Sequence, residues 1–125
     1  MKNLASKYLN SEVSRFNSVT ATSPSGTLTV GQVIQEIKDG AYASEVDRLR
    51  SLSDAPEKQR EFKTGMTAIS PSGTLKGRTL EKHIGLIQVD FDNVPDPQGH
   101  MKSLFSDEHI LMACISPRGN GVKAL

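Results

Sequence analysis

The spacing of apolar residues predicts helices over residues 30–63. Thr29 is placed to cap the first helix and Gly40 to end it, because a threonine hydroxyl accepts a hydrogen bond from a free amide and glycine adopts the left-handed conformation. Ser44 is the expected cap of a second helix, and a third starts near Pro56. The first helix carries four aliphatic residues at three- and four-residue spacing, namely Val30, Val33, Ile34 and Ile37.

Short apolar runs bounded by glycine and proline predict strands in the second half of the chain. Residues 95–105 are a predicted helix with Met101, Leu104 and Phe105 facing inward, so a strand, a helix and a strand form a crossover unit. Residues 1–20 are poorly patterned and predict a loose start that leads into an edge strand. The class indicated is α+β, with helices packed on a mixed or mostly antiparallel sheet. The predicted strands are 66–69, 84–91 and 110–115.

Composition limits the chain to one domain of an ordinary globular kind. It has 125 residues, of which 36% are hydrophobic and 23% charged, and a formal net charge of +1. A net charge this small lacks the basic excess of a general nucleic-acid binder, so any such role requires a local patch. Cys114 is the single cysteine, which excludes an internal disulfide and favours a reducing compartment. With no apolar run near the roughly 20 residues of a membrane span, we expect a cytoplasmic protein.

Two carboxylates stand at the end of a predicted strand. Alternate side chains of a strand share a face, so Asp90 and Asp92 are expected to project together while Ile87, Val89 and Phe91 face the core. Carboxylate oxygens suit Mg²⁺ or Mn²⁺, with phosphate oxygens filling the remaining coordination positions. The alternative is a solvated turn in which the carboxylates cap the following helix.

The segment after the last of these strands has the composition of a phosphate cradle. Glycine lets backbone amides approach an anion, and hydroxyl and cationic side chains add hydrogen bonds and charge. A P-loop is excluded, because the segment lacks the lysine-serine ending and no helix follows it. The alternative is an ordinary Asn-Gly hairpin turn. The candidate nucleotide-binding residues are Ser116, Arg118, Gly119, Gly121 and Lys123.

A local excess of positive charge lies between residues 63 and 82. Lys63, Lys76 and Arg78 are the candidates there for contacts with nucleic acid or with the phosphates of a nucleotide. The alternative is a solvated loop face with no ligand.

The order of these motifs resembles the VirE amino-terminal type of primase-like domain, a branch of the archaeo-eukaryotic primase superfamily found in bacterial mobile elements. The resemblance covers the chain from about residue 25 to its end. Members of this family are often joined to a helicase-like ATPase. The segments that carry the resemblance are 27–29, 37–42, 49–50, 63, 66–74, 78, 85–92 and 116–123.

The resemblance implies a fold, a site and partners. Asp90 and Asp92 match the motif whose carboxylates hold divalent metal for nucleotidyl transfer in DNA replication. Residues 116–123 match the motif that contacts the phosphates of the incoming nucleoside triphosphate, with Lys123 where active primases usually have histidine. The third acidic motif would lie beyond Leu125, so the resemblance implies a partial primase-like fold that is inactive alone. The expected partners are a nucleoside triphosphate, DNA and a helicase-type ATPase in cis or in trans.

A second hypothesis comes from a different functional class. The chain is then a non-catalytic nucleic-acid-binding or docking module for a helicase-type partner. In that case the two aspartates are a cap, and the basic segment between residues 63 and 82 makes the contacts.

Overall fold

The computed structural model describes residues 2–125, with side chains from residue 5 onward, and these residues form five helices and eight strands. The five helices are α1 (Lys2–Leu9), α2 (Val30–Lys38), α3 (Ala43–Ser51), α4 (Pro56–Thr64) and α5 (Pro97–Leu104). The eight strands are β1 (Glu12–Phe16), β2 (Gly26–Thr29), β3 (Ala68–Ser70), β4 (Gly73–Lys76), β5 (Thr79–His83), β6 (Val89–Phe91), β7 (Ala113–Ile115) and β8 (Val122–Ala124). All strand pairs are antiparallel, which confirms the predicted α+β class.

The first sheet has the strand order β2–β1–β3. The loose start predicted for residues 1–20 is wrong, because β1 lies there, pairs on both sides and buries Val13 and Ser14. The strand that follows this segment, β2, lies at the edge of the sheet. Helix α1 lies in the segment for which a loose start is expected, and Tyr8 at its end packs against the core of this sheet. That core consists of Val13, Leu28, Val30, Val33 and Leu86.

Local signals placed most of the helices correctly. Thr29 and Gln32 form a capping box at the start of α2, and Gly40 follows its end with a φ of +75°. Pro56 is the first residue of α4, as predicted. The predicted cap of the second helix is wrong, because α3 begins at Ala43 and Ser44 lies inside its first turn. No helix among residues 2–125 has the length and apolar character needed to cross a membrane.

The third sheet has the order β6–β8–β7. Because β6 and β7 are both antiparallel to β8, they run parallel to each other, and α5 connects them as the predicted crossover with β8 inserted between them. Val122 and Ala124 are buried on one face of β8, where Met101 and Leu104 of α5 pack against them. Lys123 alternates with these two residues and lies on the opposite face.

Several residues predicted to face the core are exposed instead. Phe105 is 59% exposed, Ile87 is 74% exposed and Val89 is 44% exposed. The predicted strand over 84–91 is shortened to β6, because Gly85 has a φ of +90° and interrupts the extended chain. Leu86 turns instead into the core of the first sheet.

The hairpin formed by β4 and β5 is absent from the sequence prediction. Every residue of β5 is exposed, so the strand lacks the alternation of apolar and polar residues that would reveal it. The hairpin is joined to the first sheet by Ser14, whose hydroxyl accepts a hydrogen bond from the Leu75 amide at 2.9 Å.

Candidate functional site

A row of three side chains crosses the third sheet on the face opposite α5. Lys123 on the central strand lies directly opposite Asp90 on one side and Cys114 on the other. The Lys123 Nζ atom is 3.1 Å from Asp90 Oδ2, and Gln88 donates a hydrogen bond of 2.8 Å to Asp90 Oδ1. Both carboxylate oxygens of Asp90 therefore have partners within the chain.

The loop from Ser116 to Gly121 forms the turn predicted from its sequence. The Gly119 amide donates to the Ser116 carbonyl at 2.8 Å, and the Gly121 amide donates to the Ser116 hydroxyl at 3.0 Å. Gly119 has a φ of +87°, which favours glycine. A side chain at Gly121 would collide with the Phe91 carbonyl oxygen, so this position requires glycine for close packing of β6 against the loop.

Arg50, in the last turn of α3, fixes the loop from outside. Its Nε atom donates to the Pro117 carbonyl at 3.0 Å, and its Nη2 atom donates to the Ser116 carbonyl at 3.3 Å. Because Arg50 holds these two carbonyls and the Gly119 and Gly121 amides are paired within the loop, the exposed Arg118 side chain is what the loop offers a ligand.

A polar cavity of about 300 Å³ lies between this loop, the end of β6 and the end of α4. We call it the cation cavity, because Lys63, Arg118 and Lys123 all line it. Asp92 also lines it, whereas Asp90 lies behind the wall, in an ion pair with Lys123. Its remaining walls are Asn93, Ser116, Pro117 and Asn120.

The cations of this cavity repel one another. Partial burial lowers the pKa of Lys63, and the nearby charges of Arg118 and Lys123 lower that pKa further. Asp92 and Asp90 act in the opposite direction, with smaller effects on the pKa. The cations outnumber the carboxylates, so an added anion would relieve the repulsion.

Asp90 and Asp92 can bind a divalent metal only together with a ligand that supplies further oxygen atoms. Within residues 2–125, no group of three or more His, Cys, Asp and Glu side chains lies close enough together to hold a metal ion. Asp90 and Asp92 are two carboxylate ligands, and each oxygen of Asp90 accepts one hydrogen bond and keeps a further acceptor position. Mg²⁺ commonly uses one or two carboxylates together with phosphate oxygens and water, so the pair fits a metal that arrives with a phosphorylated ligand.

The structure brings together most of the residues predicted for the site and separates two others. Lys63, predicted as a nucleic-acid contact, joins Asp92, Ser116, Arg118 and Lys123 at the cation cavity. The other two predicted nucleic-acid contacts, Lys76 and Arg78, lie at the β4–β5 hairpin, away from the walls of this cavity.

Arg78 holds a loop of the chain itself. Its Nε and Nη2 atoms donate to the Ala21 carbonyl at 3.2 Å, and Nη2 also donates to the Val19 carbonyl at 3.1 Å. A guanidinium engaged in this way has fewer donors for a phosphate, whereas Lys76 is exposed.

Three residues that shape the site are absent from the predicted site residues, although Arg50 and Asn120 lie in segments that carry the resemblance. Arg50 contacts a loop far away in sequence, and no local pattern signals that contact. Asn93 and Asn120 line the cavity, and the Asn120 carbonyl accepts a hydrogen bond from the Val94 amide at 2.9 Å. Asn93 has a φ of +53°, and its place after Asp92 at a strand end was a usable turn signal. No family model, curated protein or solved structure matches the chain.

Proposed function

We propose that this chain binds a nucleoside triphosphate at the cation cavity, as a primase-like domain of a mobile-element replication protein. The observation that supports this proposal is the grouping of Lys63, Arg118 and Lys123 beside Asp90 and Asp92. Cations next to a carboxylate pair match the mixed charge of a triphosphate that carries a divalent metal.

In this proposal each group has a separate role. Lys63, Arg118 and Lys123 bind phosphate oxygens, and the Ser116 hydroxyl donates a hydrogen bond to one of them. Asp90 and Asp92 would hold Mg²⁺ or Mn²⁺, which supplies charge stabilisation for an in-line displacement at the triphosphate. Nucleotidyl transfer requires a third carboxylate, which the described walls of the cavity lack.

The resemblance to primase-like domains adds the cellular context of the proposal. DNA and a helicase-type ATPase are the proposed partners, and the proposed location is the cytoplasm, where nucleoside triphosphates are available. The motifs that carry the resemblance include residues 85–92 and 116–123, which meet at the cation cavity.

A thermal melt with and without Mn²⁺ and a nucleoside triphosphate tests the proposal. A ligand that binds only the folded state raises the midpoint, and a concentration 100 times the Kd adds about 2.7 kcal/mol to the free energy of unfolding. We expect the rise in the unmodified chain and a much smaller rise in Lys63→Gln and Arg118→Gln. Lys76→Gln is the matched control, since it removes an exposed cation outside the cavity.

The aspartates distinguish a metal-dependent site from a purely cationic one. If a metal bridges the carboxylates and the phosphates, Asp90→Asn and Asp92→Asn weaken binding of the metal nucleotide. Asp90→Asn also frees Lys123, so binding of metal-free tripolyphosphate strengthens. DNA binding that falls with salt, survives chelation and is unchanged in both aspartate variants would instead support the non-catalytic nucleic-acid-binding module.

A further inference from the structure

A second, mostly apolar cavity adjoins the cation cavity. It has a volume of about 400 Å³ and lies between the α2–α3 region and the third sheet. We call it the apolar cleft. Lys123 and Pro117 line both cavities, so the two spaces meet at these residues. Its apolar walls include Ile37, Tyr42, Met66, Ile69, Cys114 and Ile115.

The cleft leaves apolar surface without a partner on elements that are otherwise well packed. Ile37 belongs to the apolar stripe of α2, yet it is 39% exposed, whereas Val33 one turn earlier is buried. A volume of about 400 Å³ falls within the range of roughly 300–1,000 Å³ typical of small-molecule sites. The cleft therefore has the size and lining of a site for a small, partly apolar group.

One edge of the cleft is polar. The Glu45 carboxylate accepts hydrogen bonds of 3.3 Å from both the amide and the hydroxyl of Thr67. Each carboxylate oxygen retains a further acceptor position. A planar ring with amino groups on its rim can thus pack against the apolar walls and donate to Glu45.

We infer that the apolar cleft binds the base of the nucleotide whose phosphates occupy the cation cavity. This inference rests on the proposed function, because the phosphates place the ligand next to Lys123, where the two cavities meet. The phosphates then bind the Lys123 ammonium in the cation cavity, and the base lies in the apolar cleft near Cys114 and Ile69.

Two alanines that flank Tyr42 offer a matched pair of variants. Ala43, the first residue of α3, is exposed and lines the cleft, so Ala43→Trp fills the cleft from its rim. Ala41 is also exposed but lies outside the cleft, so Ala41→Trp is the control for the introduced ring. Calorimetric titration of each variant with magnesium ATP and with magnesium tripolyphosphate separates the nucleoside from the phosphates, and Ala43→Trp then tests the cleft itself.

The inference predicts that the unmodified chain binds ATP at least about tenfold more tightly than tripolyphosphate, since base stacking adds affinity. Ala43→Trp removes that preference and leaves tripolyphosphate binding unchanged, while Ala41→Trp retains the preference. Equal affinities in the unmodified chain, or a preference that persists in Ala43→Trp, overturn the inference and leave the phosphate site intact. Failure of both ligands to bind the unmodified chain refutes the proposed function, and the inference with it.

Alkylation of Cys114 supplies a measurement that needs no variant. Cys114 is the single cysteine of the chain and lines the cleft, so its modification by iodoacetamide reports directly on occupancy. ATP is expected to slow the reaction at least about fivefold at a saturating concentration. Burial raises the pKa of the Cys114 thiol and the charge of Lys123 lowers it. Tripolyphosphate only neutralises Lys123, so it slows the reaction less than ATP does. Equal protection by the two ligands overturns the inference.

Discussion

Replacing Arg50 with glutamine tests whether the loop from Ser116 to Gly121 is preorganised by α3. The guanidinium of Arg50 donates to the carbonyls of Pro117 and Ser116 at 3.0 Å and 3.3 Å. Glutamine at this position loses both hydrogen bonds and one positive charge. The loop then retains only its internal hydrogen bonds and must be ordered when the ligand binds.

The two hydrogen bonds set the size of the expected effect. A hydrogen bond contributes a net stabilisation of about 0.5–1.5 kcal/mol, and the exposure of Arg50 places each of these at the lower end. Their combined loss costs about 1–2 kcal/mol, which lowers the Tm of a 125-residue domain by roughly 4–8 °C. A similar free energy is lost from binding, so the Kd for a metal nucleoside triphosphate rises about tenfold.

Thermal melts and calorimetric titrations of three variants measure these effects separately. Arg50→Lys keeps the charge but lacks the planar fork that reaches both carbonyls, so we expect it to recover only part of the loss. Arg48→Gln is the matched control, because Arg48 is an exposed arginine of the same helix.

Three results would refute the reasoning. If Arg50→Gln leaves the Tm and the Kd unchanged, the hydrogen bonds of Arg50 do not order the loop. If Arg50→Lys restores binding completely, Arg50 acts through its charge and not by holding the carbonyls. A loss of equal size in Arg48→Gln would also indicate that charge is what matters, since that substitution removes a charge and none of the hydrogen bonds to the loop.

Three further predictions follow from burial and hydrogen bonding. Leu49→Ala truncates a side chain that is 0% exposed, so chemical denaturation should show a loss of about 2–5 kcal/mol, and a loss below 1 kcal/mol would contradict its burial. Gly121→Ala drives a methyl group into the Phe91 carbonyl, so we expect about 1–3 kcal/mol of destabilisation and weaker nucleotide binding. The pKa of Glu36 is lowered, first by the hydrogen bond from Arg15, so its stabilising effect is complete above the unfolded pKa of about 4.3 and is lost as the pH falls through the folded pKa. Glu36→Gln should therefore flatten the acid limb of the stability curve, and an unchanged acid limb would contradict this assignment.

The helices were predictable because their signals are local. Thr29 and Gln32 form a capping box within one turn, and Pro56 fits only the first turn of a helix. The failure at Ser44 has a local cause as well. Serine caps a helix only when it precedes the first turn, and a shift of the boundary by a single residue removes that role.

The strands were less predictable because their partners are distant in sequence. The whole of β5 is exposed, so its pairing with β4 leaves no mark on the pattern of apolar residues. Ser14 is buried because it bridges β3 and the hairpin. Its hydroxyl accepts a hydrogen bond from the Leu75 amide, and its amide donates one to the Ser70 hydroxyl. Neither contact follows from the spacing of residues along the chain.

The same distinction between local signals and tertiary contacts applies to the candidate site. The loop residues Ser116, Gly119 and Gly121 were predicted as a phosphate cradle, with an Asn-Gly turn as the alternative, and both interpretations rest on features complete within six residues of sequence. Lys63 was assigned to a basic patch with Lys76, and only the tertiary fold separates the two and moves Lys63 beside Lys123. The charge of the cavity is thus a property of the fold and not of any one segment.

The position of β8 explains why folding and charge placement are linked at this site. Val122 and Ala124 are buried against α5, so alternation along the strand places Lys123 on the opposite face, between Asp90 and Cys114. A shift of one residue would turn Lys123 into the apolar layer beneath α5. Burying an unpaired ammonium there costs far more free energy than the burial of two small apolar side chains contributes. The hydrophobic contacts of β8 therefore fix the register that places the Lys123 ammonium where the cation cavity and the apolar cleft meet.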